Sequence, residues 1–213
     1  MTEFSSEWLL LREAADHKAR NTQLQSQVAH WAQERFSGRT MRLMDLGCGT
    51  GSNLRALAPL MPQQQHWTLV DYDAKLLLTA RQRLMAWADS FAEHGDALLI
   101  QKQGKSLEVI FVQKNLMTEL SQLMETPPDL MTAAAFFDLV SVAWLGQFCQ
   151  LLRCPLYAVL TYNGQEVWTP SSAHDALFLD AFHQHQRSDK GFGVAAGPAA
   201  TDALVDALEK QGF

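Results

Sequence analysis

A chain of 213 residues can enclose one domain with a sizeable core and is too short for two full ones. Its 47% hydrophobic and 19% charged residues exclude disordered, collagen-like and coiled-coil chains. Lys and Arg number 17 against 23 Asp and Glu, a net charge of −6, so affinity built on neutralising phosphates, and nucleic acid as a partner, are disfavoured.

The three cysteines, Cys48, Cys149 and Cys154, form no CxxC pair, and no histidine cluster completes a zinc site. They read as reduced thiols, and no metal is expected. The N-terminus carries acidic residues where a secretion signal is basic, and its apolar run is only Trp8 to Leu11. No run nears the roughly 20 apolar residues that cross a bilayer. The expectation is a cytoplasmic protein, neither secreted nor anchored.

Ser5 to about Phe36 repeats apolar residues at helical spacing (Trp8, Leu11, Ala15, Ala19, then Leu24, Val28, Trp31 and Ala32) and stops at Ser37-Gly38. Residues 1–38 are thus expected to form a helical cap on a domain of residues 39–213. Met41 to Leu46 reads as a strand entering a glycine cluster, and a helix follows from Asn53 to Pro59. Trp67 to Val70 is a second strand, and Ala74 to about His94 a long helix. Leu98 to Gln101 and Leu107 to Gln113 flank Lys102-Gln-Gly-Lys105 as a hairpin feeding a strand. Asn115 to Met124 is a short helix or loop, broken by Thr126-Pro-Pro-Asp129. Phe137 to Ala143 and Leu156 to Thr161 read as buried strands around a helix at Leu145 to Leu152. A helix over His174 to His185, a loop over Gln186 to Gly197 and a helix over Pro198 to Gln211 complete the chain. Strands alternating with helices predict an α/β fold with a mostly parallel sheet.

Asp45-Leu-Gly47-Cys48-Gly49-Thr-Gly51 stands where a strand turns into a helix. Glycines there allow a tight turn and close approach to a ligand, while the free amides of the helix start face it. The dinucleotide spacing GxGxxG is absent. An acid two residues before the first glycine would repel a pyrophosphate and suits a ligand with a positively charged amino group. Asp71, 20 residues after Gly51, can accept both hydroxyls of a ribose. Its other reading is a helix cap, for which Asp73 is better placed.

DLGCGTG after a strand resembles motif I of the class I S-adenosylmethionine-dependent methyltransferases, and the likeness runs from about Met41 to Tyr162. It implies a Rossmann-like three-layer sandwich, sheet order 3-2-1-4-5, and S-adenosylmethionine as cofactor. It also implies a cofactor site of Asp45, Gly47, Cys48, Gly49, Gly51, Asn53, Asp71 and Tyr72, with Asn115, Leu116 and Ala143. Asn115 stands where the family often has an Asp beside the adenine amino group. FDLVSVAW matches the fourth strand, with Asp138 at its start and Trp144 at its end, beside the transferred methyl. An N-terminal helix often covers the cofactor in this family, which gives Arg20 a role at its carboxylate. The other reading of Arg12, Asp16 and Arg20 is a salt-bridged solvent face.

For the acceptor, no NPPY-like tetrapeptide and no cysteine of a cytosine C5 enzyme is present. The loop around His183, His185, Arg187, Asp189 and Lys190 would follow the fifth strand and lie over the ligand crevice. His185 and Arg187, with Trp144, are the candidate catalytic residues; a solvated loop is the other reading. A small-molecule acceptor is favoured by the acidic balance. The rivals are a protein or RNA acceptor, an NAD-type oxidoreductase, and a domain that holds the cofactor or its demethylated product as a structural or regulatory ligand. The family's C-terminal strand pair has no counterpart after the last helix. The core is therefore expected to be trimmed to five strands plus the hairpin, its fifth strand an edge to be covered by residues 174–211 or by a second copy in a homodimer.

Overall fold

Two helices open the structure, a computed structural model that describes residues 5–213. α1 (Ser6–Ala19) starts where the Ser5 hydroxyl accepts the Trp8 amide at 3.2 Å, and α2 (Thr22–Phe36) where the Asn21 side chain accepts the Leu24 amide at 2.9 Å. α2 buries Ala32 and Phe36, whereas α1 buries no residue of its own.

The chain then alternates strand and helix: β1 (Met41–Leu46), α3 (Ser52–Leu57), β2 (Gln64–Asp71), α4 (Ala74–Trp87), β3 (Ser90–His94), β4 (Ala97–Lys102), β5 (Lys105–Gln113), α5 (Leu120–Leu123), β6 (Leu130–Ala134), α6 (Val142–Leu151), β7 (Leu156–Val159), α7 (Asp175–Gln186) and α8 (Ala200–Glu209). The sheet order is β3-β4-β5-β2-β1-β6-β7. β5, β2, β1, β6 and β7 run parallel, in the expected order 3-2-1-4-5, and β4 and β3 are added antiparallel outside β5. Seven strands are thus reached on the edge opposite β7, which among the described residues pairs only with β6.

Side chains alternate across the sheet with a period of two. Met41 and Leu43 of β1 and Trp67 and Leu69 of β2 join a core cluster with α2, α3 and α4. Met44, Leu46, Val70, Met131 and Ala133 face a second cluster with α6 and α8. Helices therefore cover both faces. Among the described residues no helix is long and apolar enough to cross a membrane.

Two expected elements are corrected. The helix expected to run to His94 ends at Trp87, and Ser90–His94 forms the exposed edge strand β3. His94 pairs with Ala97 across Gly95-Asp96, and Gly95, at φ 58°, supplies the positive φ that a two-residue hairpin needs. The fourth parallel strand is Leu130–Ala134 and not Phe137–Ala143. β6 fits between β1 and β7 in register, so the later apolar run becomes a turn whose Phe137 and Val140 are buried in the second cluster. The Ser141 hydroxyl then caps α6 by accepting the Trp144 amide at 3.2 Å.

Candidate functional site

A cleft of about 670 Å³ lies at the carboxyl ends of β1, β2, β5, β6 and β7, where the strand order reverses around β1 and open α/β sheets bind ligands. Gly47 and Gly49 form its floor. The glycine turn is fixed from several sides. The Cys48 amide donates to the Val70 carbonyl at 3.0 Å, the Gly49 amide to Asp71 Oδ2 at 2.8 Å, and Arg55 Nη1 to the Thr50 carbonyl at 2.8 Å. Gly47 has φ 60°, and a Cβ there would stand 2.5 Å from the Phe136 ring. Only glycine meets both conditions.

Asp45 is 1% exposed. Its Oδ1 accepts Asn53 Nδ2 at 2.6 Å and Thr132 Oγ1 at 2.7 Å, while Oδ2 is buried without a hydrogen-bond partner among the described residues. Burial pushes this carboxyl up to about 6, against the two hydrogen bonds and the charge of Arg20. Arg20, at the end of α1, is also buried; its Nη1 donates to Asn53 Oδ1 at 2.9 Å and its Nε has no hydrogen-bond partner among the described residues. Asp71 uses Oδ2 for Gly49 and Oδ1 for the Asp73 amide at 3.0 Å. Burial raises its carboxyl above the usual range despite those amides. The Cys48 thiol is pushed well up by burial and by Asp71 and Asp45, so it is no nucleophile.

α1 roofs this half of the cleft with few apolar contacts. Leu9 Cδ1 lies 3.3 Å from where a Gly49 Cβ would be. Glu13 pairs with Arg55 through bonds of 2.9 and 2.7 Å, and His17 Nε2 meets Ser52 Oγ at 3.0 Å. Burial works against the charged form of Glu13, yet Arg55, with His17 and Arg83, holds its carboxyl below the ordinary value.

The other half is lined by residues just past β6 and β7, among them Phe136, Asp138, Leu160 and Tyr162, and by Lys190, Gly191 and Phe192 of the loop before α8. Ala135 and Leu160 hold left-handed φ of 52° and 59°, a conformation that costs a non-glycine residue on the order of 1 kcal/mol and gathers at functional sites. Phe192 meets Phe136 and Trp144 edge-to-face at 5.9 and 5.6 Å, and Tyr162 Oη lies 2.9 Å from His183 Nε2.

Of the residues expected from sequence, Arg20, Asp45, Gly47, Cys48, Gly49, Asn53, Asp71, Tyr72, Asn115, Leu116 and His185 line the cleft. Asn115 Oδ1 already accepts the Met117 amide at 2.9 Å. Gly51 stands behind the lining as the left-handed cap of α3. The shift of the fourth strand displaces two others: Ala143 is exposed on α6, and Trp144 is buried, stacked on Phe148 at 5.4 Å with Nε1 donating to the Leu116 carbonyl at 3.0 Å. Neither lines the cleft. Arg187 is exposed outside it. Sequence reading missed Trp8, Leu9, Phe136, Leu160 and Phe182, and took Asp138 only as a strand start. The compact run Thr132-Ala-Ala-Ala135, ending in Phe136 and Phe137, was the available sign of a strand end. Among the described residues no cluster of His, Cys, Asp or Glu is placed to hold a metal.

A sequence-family profile for a methyltransferase domain matches residues 43–143. Among curated proteins no match to the chain is found. Among solved structures the chain is similar to a cyclopropane-fatty-acyl-phospholipid synthase-like protein from Lactobacillus casei, at 16% identity and TM-score 0.51, covering 94% of this chain and 75% of that one. An O-methyltransferase family protein from Burkholderia thailandensis gives 16% and 0.51, with 96% and 57% covered. The plantazolicin methyltransferase BamL, solved with a triazolic desmethylPZN analog and SAH, gives 16% and 0.50, with 94% and 67% covered. At this identity the likeness is one of fold, and the chain spans part of each relative's length.

Proposed function

We propose that the chain, whose residues 43–143 match a methyltransferase-domain profile and whose fold is similar to those of solved methyltransferases, is a class I, Rossmann-like enzyme that binds S-adenosylmethionine and methylates a small-molecule acceptor. Asp45 Oδ2 carries the reading. A buried carboxylate oxygen without a partner, facing a cleft, costs several kcal/mol unless a cation answers it, and the ammonium of the methionine moiety is such a cation. Arg20, with its own buried Nε unpartnered, suits the neighbouring carboxylate. Asp71 Oδ2 accepts the Gly49 amide and Oδ1 the Asp73 amide, and a carboxylate, with about four acceptor sites, can also take ribose hydroxyls. Tyr72, Asn115 and Leu116, past β2 and β5, would flank the adenine.

Sheet order divides the labour. The β2 and β5 ends serve the nucleoside, β1 and α3 the amino acid, and the β6 and β7 ends are left for the acceptor. When bound, the cofactor supplies a methyl group activated by a sulfonium. The chain's part is to align a nucleophile with it and keep water out, for which α1 and the Phe192 loop are the walls. A cleft of about 670 Å³ is within the range of small-molecule pockets, which with the net charge of −6 supports a small acceptor over a polymer.

Calorimetric titration tests the reading. S-adenosylmethionine and S-adenosylhomocysteine are expected to bind at submillimolar concentration and NAD not at all; NAD binding alone would overturn it. Labelled methyl transfer into a low-molecular-weight cell extract checks the acceptor. Label that enters only protein or RNA removes the small-molecule assignment, and no transfer at all from a tightly held cofactor makes the domain a non-catalytic binder.

A further inference from the structure

Asp138 belongs to neither the glycine turn nor the network of Asp45 and Arg20. It sits in the turn between β6 and α6, which two backbone bonds lock against the segment just before α8: Gly197 donates to the Asp138 carbonyl at 3.0 Å and Ala196 to the Val140 carbonyl at 2.7 Å. The side chain lines the cleft, is 8% exposed, and its Oδ1 is buried with no hydrogen-bond partner among the described residues.

Its neighbours in this half of the cleft do not supply one. Phe136, Leu139 and Phe192 are apolar. Arg12 of α1, whose charge reaches Asp138, is held by Asp16 through contacts of 2.8 and 3.1 Å. Lys190 donates to Ser188 Oγ at 2.6 Å and to the His185 carbonyl at 3.2 Å. Tyr162, paired with His183, and His185 are the remaining titratable groups facing this end of the cleft. A buried carboxylate with an unfilled acceptor oxygen beside an aromatic wall needs a donor from the ligand.

We propose that Asp138 holds, and in the reaction deprotonates, the nucleophilic hydroxyl or amine of an acceptor whose flat apolar body rests on Phe136 and Phe192. The proposal rests on the methyltransferase reading above. In the step, a lone pair of the acceptor oxygen or nitrogen forms a bond to the methyl carbon. The carbon–sulfur bond breaks, its electron pair returning sulfonium to thioether, and the acceptor proton passes to Asp138 Oδ1. A neutral nucleophile thus ends neutral, where without the base it would become a cation in an apolar pocket. Carboxylate acceptors are excluded, because two anions would meet there unpaired.

Phenol, aniline and benzoate are the probes, titrated into protein saturated with S-adenosylhomocysteine. Wild type is expected to bind phenol or aniline at least tenfold more tightly than benzoate, the better of the two identifying the donor. Asp138→Asn is expected to lose that preference while its affinity for S-adenosylhomocysteine stays within twofold of wild type, which shows an intact fold. With methyl-labelled cofactor, transfer to the bound probe is expected to fall about a hundredfold in Asp138→Asn and to return in part in Asp138→Glu. Benzoate binding as well as the others, no binding of any probe, or an Asp138→Asn variant that keeps binding and transfer would each overturn the proposal. Failure of wild type to bind S-adenosylhomocysteine is a different result: it removes the methyltransferase reading, and this proposal falls with it.

Discussion

The Gly49 amide donates to Asp71 Oδ2 at 2.8 Å, tying the glycine turn of one βα unit to the last residue of the next strand. Asp71 therefore shapes the turn, and in the proposed function it also accepts from the ribose. Asp71→Ala is expected to weaken S-adenosylmethionine binding by about 1.5 to 3 kcal/mol, the scale of a lost charge-assisted pair, and to lower the stability of the unliganded protein by about 1 to 2 kcal/mol through the orphaned amides. Calorimetry and urea denaturation measure the two separately. A dissociation constant equal to that of wild type would leave Asp71 as a turn cap alone.

Asp45 sets opposite pH dependences for stability and binding. Its carboxyl titrates at about 6 in the fold against 3.8 ordinarily, chiefly through burial. Between those values the native state binds a proton that the unfolded state does not, so this group's contribution to stability rises as pH falls from about 6 to about 4. Cofactor affinity runs the other way, since the ammonium needs the carboxylate: it is expected to fall by up to about tenfold per pH unit below 6. The raised carboxyl of Asp71 acts in the same direction. Melting temperatures with and without S-adenosylhomocysteine at pH 5 and 7.5 read both effects, with Asp45→Asn as the reference that removes the Asp45 component. Affinity that stays level across this range would count against the ammonium assignment.

The half of the cleft around the glycine turn was readable in sequence because its requirements are written in residue types. Gly47, Gly49 and Gly51 all take positive φ, and the acids stand at the ends of consecutive strands. The half past β6 and β7 was not, since residues as far apart as Trp8, Phe136, Tyr162 and Phe192 meet only through the fold. The fourth strand was misplaced for a related reason. Leu130–Ala134 and Phe137–Ala143 are both apolar, and what decides between them is register with β1 and β7, a long-range effect. Ser90–His94 offers no apolar alternation, being exposed throughout, and only Gly95-Asp96 marked the hairpin.

Glu13 is the main polar tether of α1. Its partner Arg55 keeps 7% of its side chain exposed and also holds the Thr50 carbonyl, so Glu13→Ala strands a largely buried cation. A loss of about 2 to 4 kcal/mol is expected in the docking of α1. Because α1 buries none of its own residues, the damage is expected to stay local. Hydrogen exchange of α1 amides would accelerate while β1, β2 and β6 remain protected. Equal acceleration in the central strands would mean that α1 is part of the cooperative core.

Gly47 and Phe136 form a coupled pair across the floor of the cleft. Gly47→Ala introduces a Cβ 2.5 Å from the Phe136 ring at a φ of 60°. Backbone strain of about 1 to 2 kcal/mol and overpacking of about 1 to 3 kcal/mol give an expected loss of about 2 to 5 kcal/mol. Phe136→Ala alone opens a cavity at a residue 6% exposed and is expected to cost about 3 kcal/mol or more. In the double variant the new methyl enters that space, so overpacking disappears and strain stays. The double loss is expected to fall short of the sum by the overpacking component, about 1 to 3 kcal/mol. Urea denaturation of the four proteins closes the cycle. Strict additivity would show that the turn relaxes away from Phe136, and that Gly47 is required by its backbone conformation alone.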